Sequence, residues 1–299
     1  MLGFFRKNKE DSKAAGTLAV GCGGGGCNMA DRLGKISDVD ILTVNTDRKG
    51  LVRTRSNRRI LLGEGPGNGC GGDVAMGESL TRDASDVIHE SIRRHMNIVL
   101  LAGLGGGTGT GSAKVIAEIA KRNGSRVITM AILPMSFEAG RRRVAVNALN
   151  DIKERSDILF AIDGNRLAEL DPALGAREAF SVLDQMICES FICLTEMLEG
   201  KDGETIFQTM RDKFFTVSFA EGMSAEKVAR SLIGGLMIDS AVTSRPIVFI
   251  RGNIPQNGSE EMIRETVLQS TGHEPVFVQG PAGQGMNLVM FAPVSAPVR

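Results

Sequence analysis

Apolar and polar positions along the chain fall into two alternating rhythms. Continuous apolar runs at 17–22, 40–45, 98–102, 126–133 and 158–162 have the length and bounded character of buried strands. Between them lie residues with helical spacing, at 28–33, at 74–95 through Met76, Leu80, Val87 and Ile92, at 112–121, and through Val144, Leu149 and Ile152. Strands alternating with helices predict an α/β fold, a mostly parallel sheet covered on both faces. Residues 177–199 are apolar almost all round, from Phe180, Val182 and Leu183 to Met197 and Leu198. Such a helix is predicted to be buried on several sides, as a long central helix joining two domains. Beyond it, strands at 214–219, 247–251, 275–279 and 287–291 and helices at 224–233 and 259–270 predict a second, smaller α+β domain. The division is a tail at 1–16, a first domain at 17–176, the central helix at 177–200 and the second domain at 201–299.

Three glycine-rich stretches stand where strands give way to helices. They are Gly21-Cys22-Gly23-Gly24-Gly25-Gly26-Cys27-Asn28, Gly69-Cys70-Gly71-Gly72-Asp73 and Gly105-Gly106-Gly107-Thr108-Gly109-Thr110-Gly111. A strand that ends in glycines and turns into a helix points several backbone N–H groups at one place, where the helix N-terminus favours negative charge. Thr108 and Thr110 add hydroxyl donors. The predicted occupant is a phosphate, and three loops at the carboxyl edge of one sheet suit a polyphosphate tail. None contains the G-x-x-x-x-G-K-[ST] pattern and none contains lysine, so main-chain dipoles, with or without a metal ion, must carry the charge. The first loop also satisfies G-x-G-x-x-G, with Asp47 placed about where a Rossmann fold keeps its ribose-binding acid. That pattern supports a competing reading, a Rossmann-type NAD-binding oxidoreductase. The third loop has no role in such an enzyme, and no hydride-transfer site is evident. The histidines are His89, His95 and His273, the first two predicted to be solvated on a polar helix.

Composition narrows the partners. Across 299 residues, 35 lysines and arginines balance 35 acids, so no global field recommends nucleic acid or an anionic membrane. Cys22, Cys27, Cys70, Cys188 and Cys193 form no CxxC pair, which suits small buried thiols in a reducing cytoplasm better than a disulfide framework or a metal site. No apolar run reaches membrane-spanning length and no secretory signal is present, so a cytoplasmic protein is expected. Leu2, Phe4 and Phe5 beside Arg6, Lys7 and Lys9 suit a short amphipathic anchor with weak membrane contact, a frayed tail or a docked helix.

The string 105–111 resembles the signature of the tubulin/FtsZ family of self-assembling GTPases, closer to prokaryotic FtsZ than to eukaryotic tubulin. Gly21 to Asn28, Asn45-Thr46-Asp47, Gly69 to Gly72 and Pro134 with Phe137-Glu138 fall in the family's order. The resemblance covers 17–198, and the remainder by element order. It implies a GTP-binding first domain, a magnesium ion at the phosphates, and longitudinal polymerisation with itself or a related FtsZ-like subunit in cell division or cell shape. Carried over residue by residue, Gly23, Gly24, Gly25, Gly26, Gly71, Gly72, Gly106, Gly107, Thr108 and Gly109 would hold the phosphates. Asn28 would approach guanine, Glu138 would accept from ribose hydroxyls, and Arg142 or Arg143 would balance phosphate charge. Phe180 would pack on the purine, and Asn165 is the candidate base-reading asparagine, shifted by one residue from the family's place. Asp184 has two oxygens to match two adjacent guanine N–H donors; a buried structural Asp bonded to backbone is the alternative.

The resemblance weakens after the central helix. FtsZ-like proteins carry N-x-D-x-x-D there, whose acids enter the neighbouring subunit's pocket and help position the hydrolytic water. This chain has Gly200-Lys201-Asp202-Gly203-Glu204, and alignment at Gly203 puts Gln208 and Arg211 at the acidic positions. Glu204 or Asp212 would have to substitute. The expectation is a GTP-binding filament subunit with weak or partner-dependent hydrolysis. Such a subunit would still hydrolyse its own GTP when capped by a relative with an intact loop.

Overall fold

The computed structural model describes residues 15–56, 58–64, 67, 69–170, 175–255, 258–282 and 285–295. The amphipathic segment at 1–9 and the last four residues lie outside them. Seven strands run parallel side by side, because each is followed by a helix that returns the chain to the starting edge. They are β1 (Ala15–Cys22), β2 (Asp40–Asn45), β3 (Arg58–Leu61), β4 (His95–Gly103), β5 (Arg126–Leu133), β6 (Ile158–Asp163) and β7 (Phe214–Gly222). Strands β8 (Ile247–Gly252), β9 (Val276–Gln279) and β10 (Met286–Val294) complete one ten-stranded sheet in the order β3-β2-β1-β4-β5-β6-β7-β10-β8-β9. Strand β10 is antiparallel to both β7 and β8.

The helices are α1 (Gly23–Leu33), α2 (Arg48–Arg53), α3 (Val74–Asp83), α4 (Ser85–Ile92), α5 (Gly107–Arg122), α6 (Ala139–Arg155), α7 (Asn165–Leu170), α8 (Ala176–Glu199), α9 (Gly203–Met210), α10 (Ala225–Gly234) and α11 (Ser259–Thr271), with a 3-10 turn at Ser136–Glu138. One apolar layer, with Leu18, Val20, Ile98, Leu100, Ile116 and Ile152, fills one face of the parallel strands. A second layer on the other face holds α8 through Leu183, Ile187, Phe191, Leu194 and Met197, and continues without a break to Val217, Phe249 and Phe291. Strands β7, β8 and β10 with α10 and α11 enclose a third cluster of their own, including Val228, Leu232, Ile250, Ile263 and Leu288. The sheet crosses between the two halves at β6 and β7 through two register pairs, Leu159 with Phe214 and Phe160 with Phe215.

Four local expectations change. Helices α1 and α5 begin at Gly23 and Gly107, about five residues before their predicted starts, because close backbone packing outweighs glycine's poor helix propensity. The predicted helix at 74–95 breaks at Ala84, whose φ and ψ of −93° and 11° leave the helical region, and the same apolar spacing resumes beyond the break. His95 belongs to β4 rather than to a solvated helix: it and Asn97 are buried while Met96 between them is 45% exposed. The polarity of that strand's first turns is inverted, so hydrophobic patterning could not find them. The apolar residues Phe180 and Val182 of α8 are exposed, whereas its later turns are core.

Phe160, fully buried, has ring centroids of both Phe215 and Phe291 at 5.6 Å, so it packs across the seam between the halves. Phe160→Ala is expected to lower unfolding stability by about 3–5 kcal/mol, the usual cost of a large core cavity. Urea denaturation would measure it, and a loss below about 1 kcal/mol would contradict a tightly packed seam.

Candidate nucleotide site

Strand β1 passes directly into α1, and β4 reaches α5 through Leu104–Gly106, so two helix N-termini stand at the carboxyl ends of neighbouring parallel strands. Backbone contact sets their spacing. Gly23 has φ +67°, and a Cβ there would stand 2.6 Å from the Gly109 nitrogen. A Cβ at Gly26 would collide with the Leu101 carbonyl, one at Gly109 with the Gly103 carbonyl, and one at Gly107 with the Asp73 backbone. These four glycines are packing positions. Gly24, Gly71 and Gly72 have no neighbouring atom within 4 Å of a built Cβ; Gly25 meets only Gly103, at 3.5 Å, and Gly106 only the Arg141 Nη2, at 3.8 Å. The glycines predicted to hold phosphate therefore divide into a packed set and a set bordering open space.

No side chain caps α1 or α5, whereas Asp47 accepts from the Lys49 N–H at 2.9 Å to cap α2 and Asp73 accepts from Met76 at 3.0 Å to cap α3. The first-turn N–H groups of α1 and α5 are left as paired orphan donors with partial positive charge. Thr108 Oγ1 lies 2.6 Å from Thr46 Oγ1 and 3.5 Å from Cys70 Sγ, which ties the second and third glycine loops to the turn after β2. Thr110 does not serve a ligand: it is fully buried and accepts from the Gly105 N–H at 2.9 Å. Burial pushes the Cys22 and Cys27 thiols up to about 12, so both are packing residues rather than reactive thiolates.

Beside this cradle opens a cleft of about 330 Å³, walled by Pro134, Phe137, Glu138, Arg141, Phe180 and Leu183 among others. Phe137 is 73% exposed and Phe180 45%, so two aromatic faces are presented to it. Glu138 is ion-paired with Arg141. Arg142 is held instead by both oxygens of Asp163, at 2.9 and 2.6 Å, and by the Pro134 carbonyl. Of the three consecutive arginines, Arg141 is the one beside Gly106, and Arg143 is exposed. Asn165 accepts from the Ser136 N–H at 2.7 Å and its own N–H donates to Asp163, so it braces the turn that carries Phe137 and Glu138. On α1, exposed Gly24 and Asn28 are followed one turn later by Arg32, whose Nη1 lies 2.9 Å from Asp184 Oδ2. Burial pushes the half-buried Asp184 carboxyl up and the Arg32 guanidinium opposes that shift. Asp184 is thus bonded to a side chain and not to backbone.

Residues 17–171, just over half of the chain, match the Tubulin/FtsZ family, GTPase domain. The chain belongs to the tubulin/FtsZ family. It is 38% identical over 185 residues to the cell division protein FtsZ 2 of Halobacterium salinarum, a match covering 60% of this chain and 47% of that protein. It is 35% identical over 199 residues to FtsZ 1 of Methanocaldococcus jannaschii, covering 65% and 54%. The chain thus spans about half the length of the curated relatives it matches. Among solved structures, an empty FtsZ dimer from M. jannaschii superposes with a TM-score of 0.80 at 27% identity, over 95% of this chain and 89% of the other. CetZ2 from Haloferax volcanii, solved as a GTPγS-bound protofilament, shares the fold with a TM-score of 0.81 at 22% identity, over 95% and 93%. The dinucleotide-oxidoreductase alternative gains nothing from these relatives, and Asp47, its ribose acid, is a helix cap.

The stretch after α8, where FtsZ-like proteins are expected to carry their acids, lies at the opposite end of the strands. Glu204 is ion-paired with Arg126 at the start of β5, and Gln208 donates to Glu204 at 2.8 Å. Arg211 lies 3.7 Å from both Asp157 and Asp212, and Asp212 has a φ of 64°. Strand β5 separates this end from the glycine cradle by about 23 Å, at about 3.3 Å per residue. The turn itself consists of Gly200, Lys201 and Asp202; the Asp202 carbonyl accepts from the Ile206 N–H, and its exposed carboxylate has no hydrogen bond or ion pair among the described residues. Sequence reasoning quoted Thr46 only within a family motif and passed over Asp202, Arg141 and Arg32. The last was legible as the residue one helical turn beyond Asn28, the others only from geometry.

The two glycine classes separate by substitution. Gly26→Ala is expected to cost about 1–3 kcal/mol through overpacking. Gly24→Ala should leave stability unchanged or raise it by up to about 1 kcal/mol through helix propensity. Urea titration of both variants without ligand checks this, and equal losses would contradict the division.

Proposed function

We propose that this chain binds a guanine nucleotide along α1 and α5 and assembles end to end with copies of itself or with a related subunit. The observation that carries the reading is the pair of adjacent, uncapped helix N-termini bordered by Gly24, Gly25, Gly71, Gly72 and Gly106, which offers main-chain donors to a polyphosphate. Arg141, released from Glu138 or shared with it, supplies cationic charge next to Gly106. The cleft with Phe137 and Phe180 takes the nucleoside, Glu138 serving the ribose and Asp184 the guanine edge, with Arg32 holding the carboxylate in place. Among the described residues no group of three or more His, Cys, Asp or Glu side chains is placed to hold a metal. A magnesium ion would therefore be carried mainly by phosphate oxygens and water.

In such an assembly the α8–α9 turn of one copy would meet the cradle of the next, the two lying at opposite ends of the parallel strands. The groups this chain brings there are Lys201, Asp202, Glu204, Gln208, Arg211 and Asp212. Glu204 is neutralised by Arg126 and Arg211 is cationic, so Asp202 is the one uncommitted acid of the turn itself. Water positioning by a single acid on a short turn supports slow hydrolysis, and the nucleotide-binding and filament roles dominate. Among the described residues no helix is long and apolar enough to cross a membrane.

Phosphate release from GTP is expected to stay slow and to rise little with protein concentration, while sedimentation shows polymer with GTP. A steep rise with concentration would show instead an efficient self-activating GTPase. Asp184→Ala is expected to reduce the preference for GTP over ATP by about 10–100-fold, the worth of a charge-assisted hydrogen bond pair. Competition with a fluorescent guanine nucleotide measures it, and undiminished discrimination would remove Asp184 from base recognition.

A further inference from the structure

Half of residues 48–59 are arginine or lysine and none is acidic, in a chain of zero formal net charge. They make up α2 and the start of β3, the strand at one edge of the sheet. Arg48, Lys49, Arg53, Arg55 and Arg59 are exposed, and among the described residues none of the five is in an ion pair. Arginines elsewhere are matched: Arg82 with Glu118, Arg166 with Glu169, Arg230 with Glu226 and Arg264 with Glu260. Of the acids beside the basic stretch, Asp31 pairs with Lys35 and accepts from the Arg55 backbone N–H at 2.6 Å, and Asp47 caps α2. The placement of the cations opposes local stability. Arg48 and Lys49 stand in the first turn of α2, where the helix dipole favours acids, and Lys49 and Arg53 are like charges one turn apart. Charges on β3 guard an exposed sheet edge against pairing with another strand, but a helix has no such edge to guard.

We propose that this basic edge is a docking surface for an anionic lipid bilayer. Uncommitted cations on one edge are complementary to a sheet of lipid phosphates. Apolar side chains are set among them: Val52 is 66% exposed on α2, while its neighbour Leu51 is buried and anchors the helix. Ile36, 53% exposed, lies between Gly34 and Ser37, which border a hollow of about 270 Å³ together with Arg55 and Arg58. Arg58 donates to the Ser91 carbonyl and Arg59 to the Thr54 carbonyl, which fixes both guanidinium groups against the fold. Cations interspersed with small apolar groups suit the boundary between headgroups and acyl chains. Nucleic acid offers the same phosphate charge, but residues 47–62 contain no aromatic side chain to stack on bases, and Val52 and Ile36 would go unused. On the assembly reading proposed above, the strands run along the filament and this edge along its flank. Successive copies would then repeat the patch as a strip and bind a bilayer more tightly than one copy does.

Cosedimentation of the full chain with vesicles, without nucleotide, tests the surface. Vesicles of equal parts phosphatidylglycerol and phosphatidylcholine are expected to bind it at low salt, and vesicles of phosphatidylcholine alone are not. The triple substitution Lys49→Gln, Arg53→Gln and Arg55→Gln should weaken binding by about tenfold or more, since each cation near an anionic membrane contributes about fivefold. These three side chains make no hydrogen bond among the described residues, and removing like charges should leave the thermal midpoint unchanged or higher. A loss of binding is then not a loss of fold. Val52→Ser keeps every charge and should weaken vesicle binding by about threefold, while binding to duplex DNA, read by fluorescence anisotropy, stays unchanged. Three results would overturn the proposal: no binding to anionic vesicles, a loss below about twofold in the triple variant, or displacement from vesicles by duplex DNA at equal phosphate concentration. The second of these would assign the binding to Arg6, Lys7, Lys9 and Lys13 instead. The readouts need neither nucleotide nor assembly, so failure here and failure of the nucleotide reading are distinguishable.

Discussion

Contact between the backbones of α1 and α5 is the constraint on which the rest of the nucleotide end depends. Gly23 rests on Gly109, Gly109 on Gly103, and Gly107 on Asp73, at separations where any Cβ would collide. Beside them Thr46 of the turn after β2, Cys70 of the second glycine loop and Thr108 of the third lie within 3.5 Å of one another. Once the helices are that close, their N-termini share one small volume above β1 and β4. Ligand affinity at such a point comes from fixed dipoles already in place, with no lysine to order.

The arrangement leaves cost in the empty protein. A capped helix is more stable than an uncapped one by about 1 kcal/mol, and α2 and α3 take that gain from Asp47 and Asp73 while α1 and α5 do not. An anion bound at both termini supplies the missing acceptors. Binding of such an anion would therefore be linked to folding of the first half of the chain, with stability rising with ligand concentration as mass action requires.

Much of this fold was legible in the chain because buried parallel strands are continuous apolar runs, and β1, β2, β5 and β6 fall close to where those runs lie. The first three residues of β4 were not legible, since His95 and Asn97 face inward and Met96 outward. Strand β3 with its arginines, and the short helices α2, α7 and α9, carry too little apolar periodicity to be seen. At the site, glycine composition identified the loops, but composition cannot say which glycine packs and which is open. Gly24 and Gly26 differ only in what lies beyond them. The three arginines of α6 show the same limit: Arg142 is committed to Asp163, a partner 21 residues away, and Arg141 is placed beside Gly106 by the helical phase.

Helix α8 spans the distance between the two ends of the molecule. At 24 residues it is about 36 Å long. Near its start Phe180 and Leu183 border the aromatic cleft and Asp184 follows, paired with Arg32; near its end Thr195, Glu196 and Glu199 border the wide cavity at the far end of the strands. Its last residue leads through three residues to α9 and the groups offered to a neighbouring copy. Between these ends the helix rests on apolar side chains, a contact along which a helix slides more easily than it bends. Polar ties therefore fix its axial position: Arg32 with Asp184 at one end, and Thr17 with Glu199 and Arg251 with Glu189 and Glu196 at the other. On the nucleotide reading proposed above, a base bound to Asp184 would share that carboxylate with Arg32 and so bear on the first tie. On that same reading α8 joins the carboxylate that would meet the base to the turn that carries Asp202, and is the element through which nucleotide binding would bear on assembly.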